Sequence, residues 1–210
     1  MAVYSRLDIS FAVSKLSQFN RNPSTTHLKA ARRVLRYLKG TKHFKITYGS
    51  RSHSLNFFGY ADANHGGDLD DGKSHTGYVF MLNNGPITWT FHKQTSVASS
   101  TTEAEYMSLS DASRKAIARN QLFEELGIVL PALPPLLSDN QAALAITKQL
   151  AQHHQIKHIR IRYHYIRDAY RQEQISIGYI PTADQVADIL TKPLHAPAHY
   201  HHLLSLGLSN

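Results

Sequence analysis

Between Asn22-Pro23 and Gly40, apolar side chains recur every three or four residues, at Leu28, Ala31, Leu35 and Leu38. That is the period of a helix with one packed face. Ser24 or Thr25 can cap its start and Gly40 can close it. The segment around residues 8–19 repeats the pattern through Ile9, Ala12, Val13 and Leu16, and Tyr48 to Ser54 breaks it as a linker would. From Leu55 the period shortens to that of strands. Leu55–Asp62, Gly77–Leu82 and Pro86–His92 read as three of them, with Asn83-Asn84-Gly85 as a hairpin turn. A helix is expected from about Thr101 to Leu126, stopped by Gly127. The apolar strand Leu136-Leu137-Ser138 ends at Asp139, and a helix over Gln141–Lys148 follows. Next come a strongly basic helix at about 157–172, a fifth strand at Ile175–Ile180, the breaker Pro181, and a helix through Ala183–Thr191. Strands and helices in this order make an α/β domain.

The chain has 210 residues, enough for one domain with a smaller companion and a self-sufficient core. It contains no cysteine, which excludes disulfides and zinc–thiolate sites and suits an intracellular setting, cytoplasmic or nuclear. No apolar run approaches the roughly 18 residues of a membrane span, and the N-terminus lacks the pattern of a secretory signal.

Charge changes the picture more than composition does. Of the formal net charge of +8, residues 1–48 hold ten Lys and Arg against Asp8 alone, whereas the remainder is close to balanced. A basic end points to a polyanionic partner. Lys29, Arg32, Arg33, Arg36 and Lys39 lie beside the apolar stripe of the second helix, so one face can pack while its neighbour meets phosphates. Residues 153–171 form a second basic stretch, with Lys157, Arg160, Arg162, Arg167 and Arg171 among four His and three Tyr.

Four acids stand out by position. Asp62 and Asp139 end apolar strands, and ligands of α/β sheets collect beyond strand ends. Glu105 lies near the start of the long helix and Asp188 in the last short one. Taken singly, each is compatible with a turn, a cap or a solvated surface. Together they could converge, and such a cluster is tolerable only if cations neutralise it. All-oxygen ligands select hard cations such as Mg²⁺ or Mn²⁺. Other polar groups read as structural. Asp68, Asp70 and Asp71 form a solvated acidic turn, Ser99 to Thr102 are helix-capping candidates, and His199, His201 and His202 are surface histidines.

Several blocks then become recognisable. Tyr60-Ala61-Asp62-Ala63-Asn64, Gly67–Ser74, Thr76-Gly77-Tyr78-Val79-Phe80, Ser99–Met107, Ser138–Ala143, Lys157–His164 and Asp184–Pro193 resemble, in order, the ribonuclease H domain of copia-type retrotransposon polyproteins. Arg32–Thr41 is similar to the segment that joins reverse transcriptase to nuclease in that family, so the likeness covers essentially the whole chain. The resemblance implies a five-stranded mixed sheet flanked by helices and preceded by a small basic helical segment. It implies a reverse-transcriptase connection at 1–50, a ribonuclease H domain at 55–195 and a helical tail at 196–210. It also implies a quartet, Asp62, Glu105, Asp139 and Asp188, holding two Mg²⁺ or Mn²⁺ ions. Asp62 and Asp139 would bridge or flank the metals, Glu105 would serve the one near the leaving oxygen, and Asp188 the one that activates water. The substrate would be an RNA–DNA hybrid, cut to a 3′-hydroxyl and a 5′-phosphate, and the remaining polyprotein would be a partner.

Two departures stand out. The loop before the last helix, Pro181-Thr182-Ala183, lacks the mobile His often found there in the wider family, and Asn64-His65 replaces an acid and a Trp. Two other functions compete with the nuclease. One is a non-catalytic nucleic-acid-binding remnant, against which the survival of all four acids counts. The other is a transposase or integrase of similar topology, against which Glu105 on the first helix after three strands counts.

Overall fold

The computed structural model describes residues 2–49, 55–149 and 160–210, with the side chains of the last span described from Tyr165 onward. Its centre is a five-stranded sheet. Strands β2 (Phe57–Asn64), β3 (His75–Leu82) and β4 (Gly85–Lys93) form an antiparallel meander. β5 (Pro135–Ser138) and β6 (Ser176–Tyr179) extend it on the other side of β2, both parallel, giving the order β4-β3-β2-β5-β6. The β3–β4 hairpin turns at Asn83 and Asn84, both in the left-handed region at φ 47° and 68°, a conformation asparagine tolerates better than most residues. This is the mixed, helix-flanked sheet of a ribonuclease H-like fold.

Alternation along the strands sends side chains to two cores. On one face Phe57, Ala61, Tyr78, Phe80 and Leu136 pack against helix α3 (Thr101–Glu125), α4 (Gln141–Lys148) and α5 (Arg160–Arg171). On the other, Val79 and Met81 pack with Leu7, with Ile189 and Leu190 of α6 (Asp188–Thr191), and with Leu203 of α7 (Ala196–Ser205). The N-terminal residues are tied to this second face. Leu7 is fully buried, the Trp89 indole donates to the Ala2 carbonyl at 2.8 Å, and β1 (Lys45–Ile46) pairs antiparallel with β7 (Leu208–Ser209).

Helices α1 (Ser10–Ser17) and α2 (Thr25–Gly40) lie outside these cores and bury no residue fully. As expected, Ser24 caps α2. Its rotation differs from the sequence reading. Ala31 and Leu38 face inward as expected, but Leu28 and Leu35 are 52% and 65% exposed, and Val34 and Tyr37 face inward in their place. A buried polar network sets that rotation. Tyr37 donates to Asp8 at 2.6 Å, and the Arg6 guanidinium bonds Asp8 at 2.7 Å and the Thr41 carbonyl at 3.2 Å. Charged groups out of water must be paired, so this network outweighs the burial of two leucines. Val13, expected inward on α1, is likewise 40% exposed.

Two boundaries also move. β2 runs on to Asn64, so Asp62 lies within the strand and not at its end. The last helix of the domain is not continuous from Ala183. A 3-10 turn at Thr182–Asp184 gives way to extended backbone at Gln185, and α6 is only four residues long. The buried Gln185 amide explains the break, because it donates to the Ala61 carbonyl of β2 at 3.0 Å. Among the described residues no helix is long and apolar enough to cross a membrane.

Candidate metal centre

β2 and β5 run parallel, and their paired positions end at Tyr60 and Leu137. Two residues further along the chain come Asp62, still in β2, and Asp139, just past the end of β5, which brings the two carboxylates side by side. Glu105 reaches the same place from α3. The first turns of that helix are buried from Glu103 to Ser110, and its small residues let it lie close on the sheet. Ser108 fixes the contact by donating to the Asp62 carbonyl at 2.8 Å. Ligand oxygens of Asp62, Glu105 and Asp139 thereby fall within 4.8 Å of one another. Asp62 and Glu105 are buried and Asp139 is half-buried, which leaves one side open to solvent.

Asp188 arrives from α6 and approaches Asp62 from the second face of the sheet. Gly77 of β3, paired with Asp62, allows this approach: a Cβ there would lie 2.4 Å from Thr191 Cγ2 and 3.2 Å from Leu190 Cβ. The Asn64 amide donates to the Thr191 carbonyl at 3.0 Å and the Thr191 hydroxyl donates to Asp62 Oδ2. Lys192 closes the arrangement, its Nζ lying 3.1 Å from Asp62 Oδ1 and 2.7 Å from Asp188 Oδ1.

The electrostatics record the crowding. Burial pushes the Glu105 carboxyl well above the usual carboxylate range, and the charges of Asp62 and Asp139 push it further. Its Oε2 is buried with no hydrogen-bond partner. Burial and the charge of Asp62 push Asp188 up to about 7, with Lys192 opposing. Burial works against the charge of Lys192, yet the Asp62 and Asp188 carboxylates outweigh it and raise its pKa. A buried carboxylate oxygen without a donor, beside two other acids, suits a divalent cation held by oxygen ligands.

Glu103, two residues before Glu105, points elsewhere. It accepts from the Ser99 amide at 2.7 Å and from the Ser99 hydroxyl, while Ser100 caps α3. The acidic turn is held by Lys93, which lies 2.7 Å from Asp68, and Asp68 is buried although it was expected in solvent. His202, also expected at the surface, is buried in α7 behind the apolar face of the sheet.

The basic residues fall into three groups. Lys29, Arg32 and Arg36 are exposed on α2 around Leu35, and Arg33 lines a groove between α1, α2 and α7. Arg160 and Arg162 lie in the first turn of α5, of which only the backbone is described. Lys157 lies outside the described residues.

Sequence reasoning missed Lys192, Thr191, Gly77 and Gln185 as parts of the site. All four sit inside recognised blocks, and the spacing of Asp188 and Lys192, one helical turn apart, was the available signal.

A mixed sheet of this order, flanked by helices, is that of a ribonuclease H-like fold. No protein-family model matches the chain. The chain is 38% identical over 206 residues to the retrovirus-related Pol polyprotein from transposon RE1 of Arabidopsis thaliana, covering 98% of this chain and 14% of that protein. It is 37% identical over 190 residues to the counterpart from transposon TNT 1-94 of Nicotiana tabacum, covering 90% of this chain and 14% of that protein. Its relatives are thus retrovirus-related Pol polyproteins of transposons, and the chain spans about one-seventh of their length. Among solved structures it is similar to LC11-RNase H1 in complex with RNA/DNA hybrid, at 14% identity and a TM-score of 0.48 over 65% of this chain and 94% of that one.

Proposed function

We propose that this chain is the nuclease segment of a copia-type transposon polyprotein and hydrolyses the RNA strand of RNA–DNA hybrids, with two Mg²⁺ or Mn²⁺ ions as cofactors. The observation that carries the reading is the convergence of Asp62, Glu105 and Asp139 within 4.8 Å, with Asp188 held to the same Asp62 through Lys192. Four buried or half-buried acids on four elements are costly to a fold, and metal-assisted phosphodiester chemistry gives that cost a use. Asp62, Glu105 and Asp139 would hold one ion, and Asp62 with Asp188 the other. Bound there, the ions would supply an activated water and neutralise the charge that develops on the leaving oxygen.

The protein's own residues do the positioning. Ser108 fixes β2 beneath α3, Gly77 admits α6, and substrate would approach from the side of the half-buried Asp139. Exposed Lys29, Arg32 and Arg36 on α2 would carry phosphate contacts, as would Arg33 at the groove and Lys157, Arg160 and Arg162 at or before α5. Residues 1–50 would be the end of the reverse transcriptase connection, 55–195 the nuclease and 196–210 its tail. The rest of the polyprotein would be the partner that delivers the hybrid.

The test is cleavage of end-labelled substrates with Mg²⁺ or Mn²⁺. The RNA strand of a hybrid should be cut, leaving 5′-phosphates, while double-stranded DNA and single-stranded RNA stay largely intact. Equal cleavage of all three, or of none, would overturn the reading.

A further inference from the structure

The acid cluster divides into two unequal halves. On the α3 side, Glu105 Oε2 is buried and has no partner, and Asp139 opens toward solvent. On the α6 side both oxygens of Asp62 are already engaged, Oδ2 by the Thr191 hydroxyl and Oδ1 by Lys192 Nζ, which also holds Asp188 at 2.7 Å. One half presents an unpartnered carboxylate oxygen, while the other has a cation built into the chain.

We propose that Lys192 is a resident counter-ion that occupies the Asp62–Asp188 half of the site and must withdraw before a divalent ion can enter there. This deepens the nuclease reading and rests on it, because it concerns the same metal centre. It makes loading of the two positions unequal. The Asp62–Glu105–Asp139 position takes a hard cation directly, and the Asp62–Asp188 position takes one only at the expense of two charge-assisted hydrogen bonds. A route for withdrawal is present. The Lys192 side chain is one-third exposed, at 33%, whereas those of Asp62 and Asp188 are 0% and 8% exposed. Lys192 also sits at the C-terminal cap of α6 with extended backbone, so its stem can swing toward water while the helix stays seated.

The arrangement also stabilises the metal-free fold. An unneutralised Asp62–Asp188 pair would face a buried like charge, and Lys192 removes that repulsion at the cost of metal affinity on this side. The lysine is therefore a positioning residue, and its removal separates the two effects.

The experiment is Mn²⁺ binding in the absence of nucleic acid, followed by calorimetry and by loss of the free-ion electron paramagnetic resonance signal, on the wild-type chain, Lys192→Met and Lys192→Arg. The wild type should bind one ion distinctly more tightly than a second. Lys192→Met should tighten the weaker step by roughly tenfold or more, the scale of a lost hydrogen bond between charged groups. It should also lower the melting temperature without metal and enlarge the rise on adding Mn²⁺. Lys192→Arg keeps the charge and should leave the weaker step weak. If Lys192→Met weakens the second step or leaves both steps unchanged, the lysine is no competitor and the inference fails. Should Lys192→Met not fold without metal, refolding it with Mn²⁺ present and measuring release by chelator gives the same comparison. Binding is read independently of cleavage, so a chain that loads as described yet cuts no hybrid would defeat the nuclease reading alone. A wild type that binds no Mn²⁺ would defeat both.

Discussion

Asp188→Asn should make the metal-free protein more stable at pH 8 than the wild type, even though it removes a candidate ligand. Burial and the charge of Asp62 hold the Asp188 carboxyl near 7, against an ordinary value of 3.8. Well below pH 3.8 the group is neutral whether the chain is folded or not, so it exacts no electrostatic penalty. As pH rises through 4, the unfolded chain ionises its Asp188 first, and stability falls until the folded group ionises near 7. A separation of about three pH units at 1.36 kcal/mol each sets the full loss at about 4 kcal/mol. That figure is net of the attraction of Lys192, which already opposes the shift. Asn cannot ionise and is nearly isosteric, so its stability should lack this slope. The assay is urea unfolding with chelator present at pH 4, 6 and 8 for both chains. The wild-type deficit should grow across that interval and shrink when Mg²⁺ replaces the chelator. Parallel curves for the two proteins would refute the account of a carboxyl strained by burial and by Asp62.

Gly77→Ala should destabilise by about 1–3 kcal/mol in the same unfolding assay, the usual cost of overpacking, because its Cβ meets Thr191 at 2.4 Å. No loss would mean that α6 does not sit where the structure puts it. Glu105→Gln should abolish hybrid cleavage while hybrid binding persists. Glu103→Gln should leave cleavage and cost about 1 kcal/mol through the weakened bonds to Ser99, and the reverse outcome would move the catalytic acid by two residues. Charge reversal at the exposed Arg32 and Arg36 should lower hybrid affinity and flatten its salt dependence, by about 0.7–0.9 in log–log slope for each phosphate no longer neutralised. An unchanged slope would confine recognition to the sheet domain.

The sheet was legible because its strands are written in short-range pattern. The alternation around Tyr60 and Val79 and the Asn83-Asn84 turn survive almost unchanged in the structure. Four widely spaced acids could be singled out because the pattern put Asp62 and Asp139 at strand ends and Glu105 and Asp188 on helices, and the resemblance grouped them. The chain alone could not reveal what depends on long-range pairing. The rotation of α2 is set by Asp8, twenty-nine residues from Tyr37, and hydrophobic period by itself favoured Leu28 and Leu35. The break at Gln185 comes from a carbonyl on β2, 124 residues away. β1 and β7 are two residues each, too short to register as a pattern. Lys192 was passed over as a site residue because a lysine just after a short helix ordinarily complements the helix dipole at its C-terminus.

The way α6 is pinned has a consequence for how the chain acquires its site. The meander and the α3 packing join residues that are near one another in sequence, and such contacts form early. Asp188 is delivered by bonds that close loops of 124 to 130 residues, from Gln185 to Ala61 and from Thr191 and Lys192 to Asp62. Loops of that length are entropically slow to close, so a nascent chain can complete most of its sheet while the Asp62 carboxylate still faces water. The repulsion between Asp62 and Asp188 then enters only in the final docking step, and Lys192 follows directly after the short helix that brings Asp188 in.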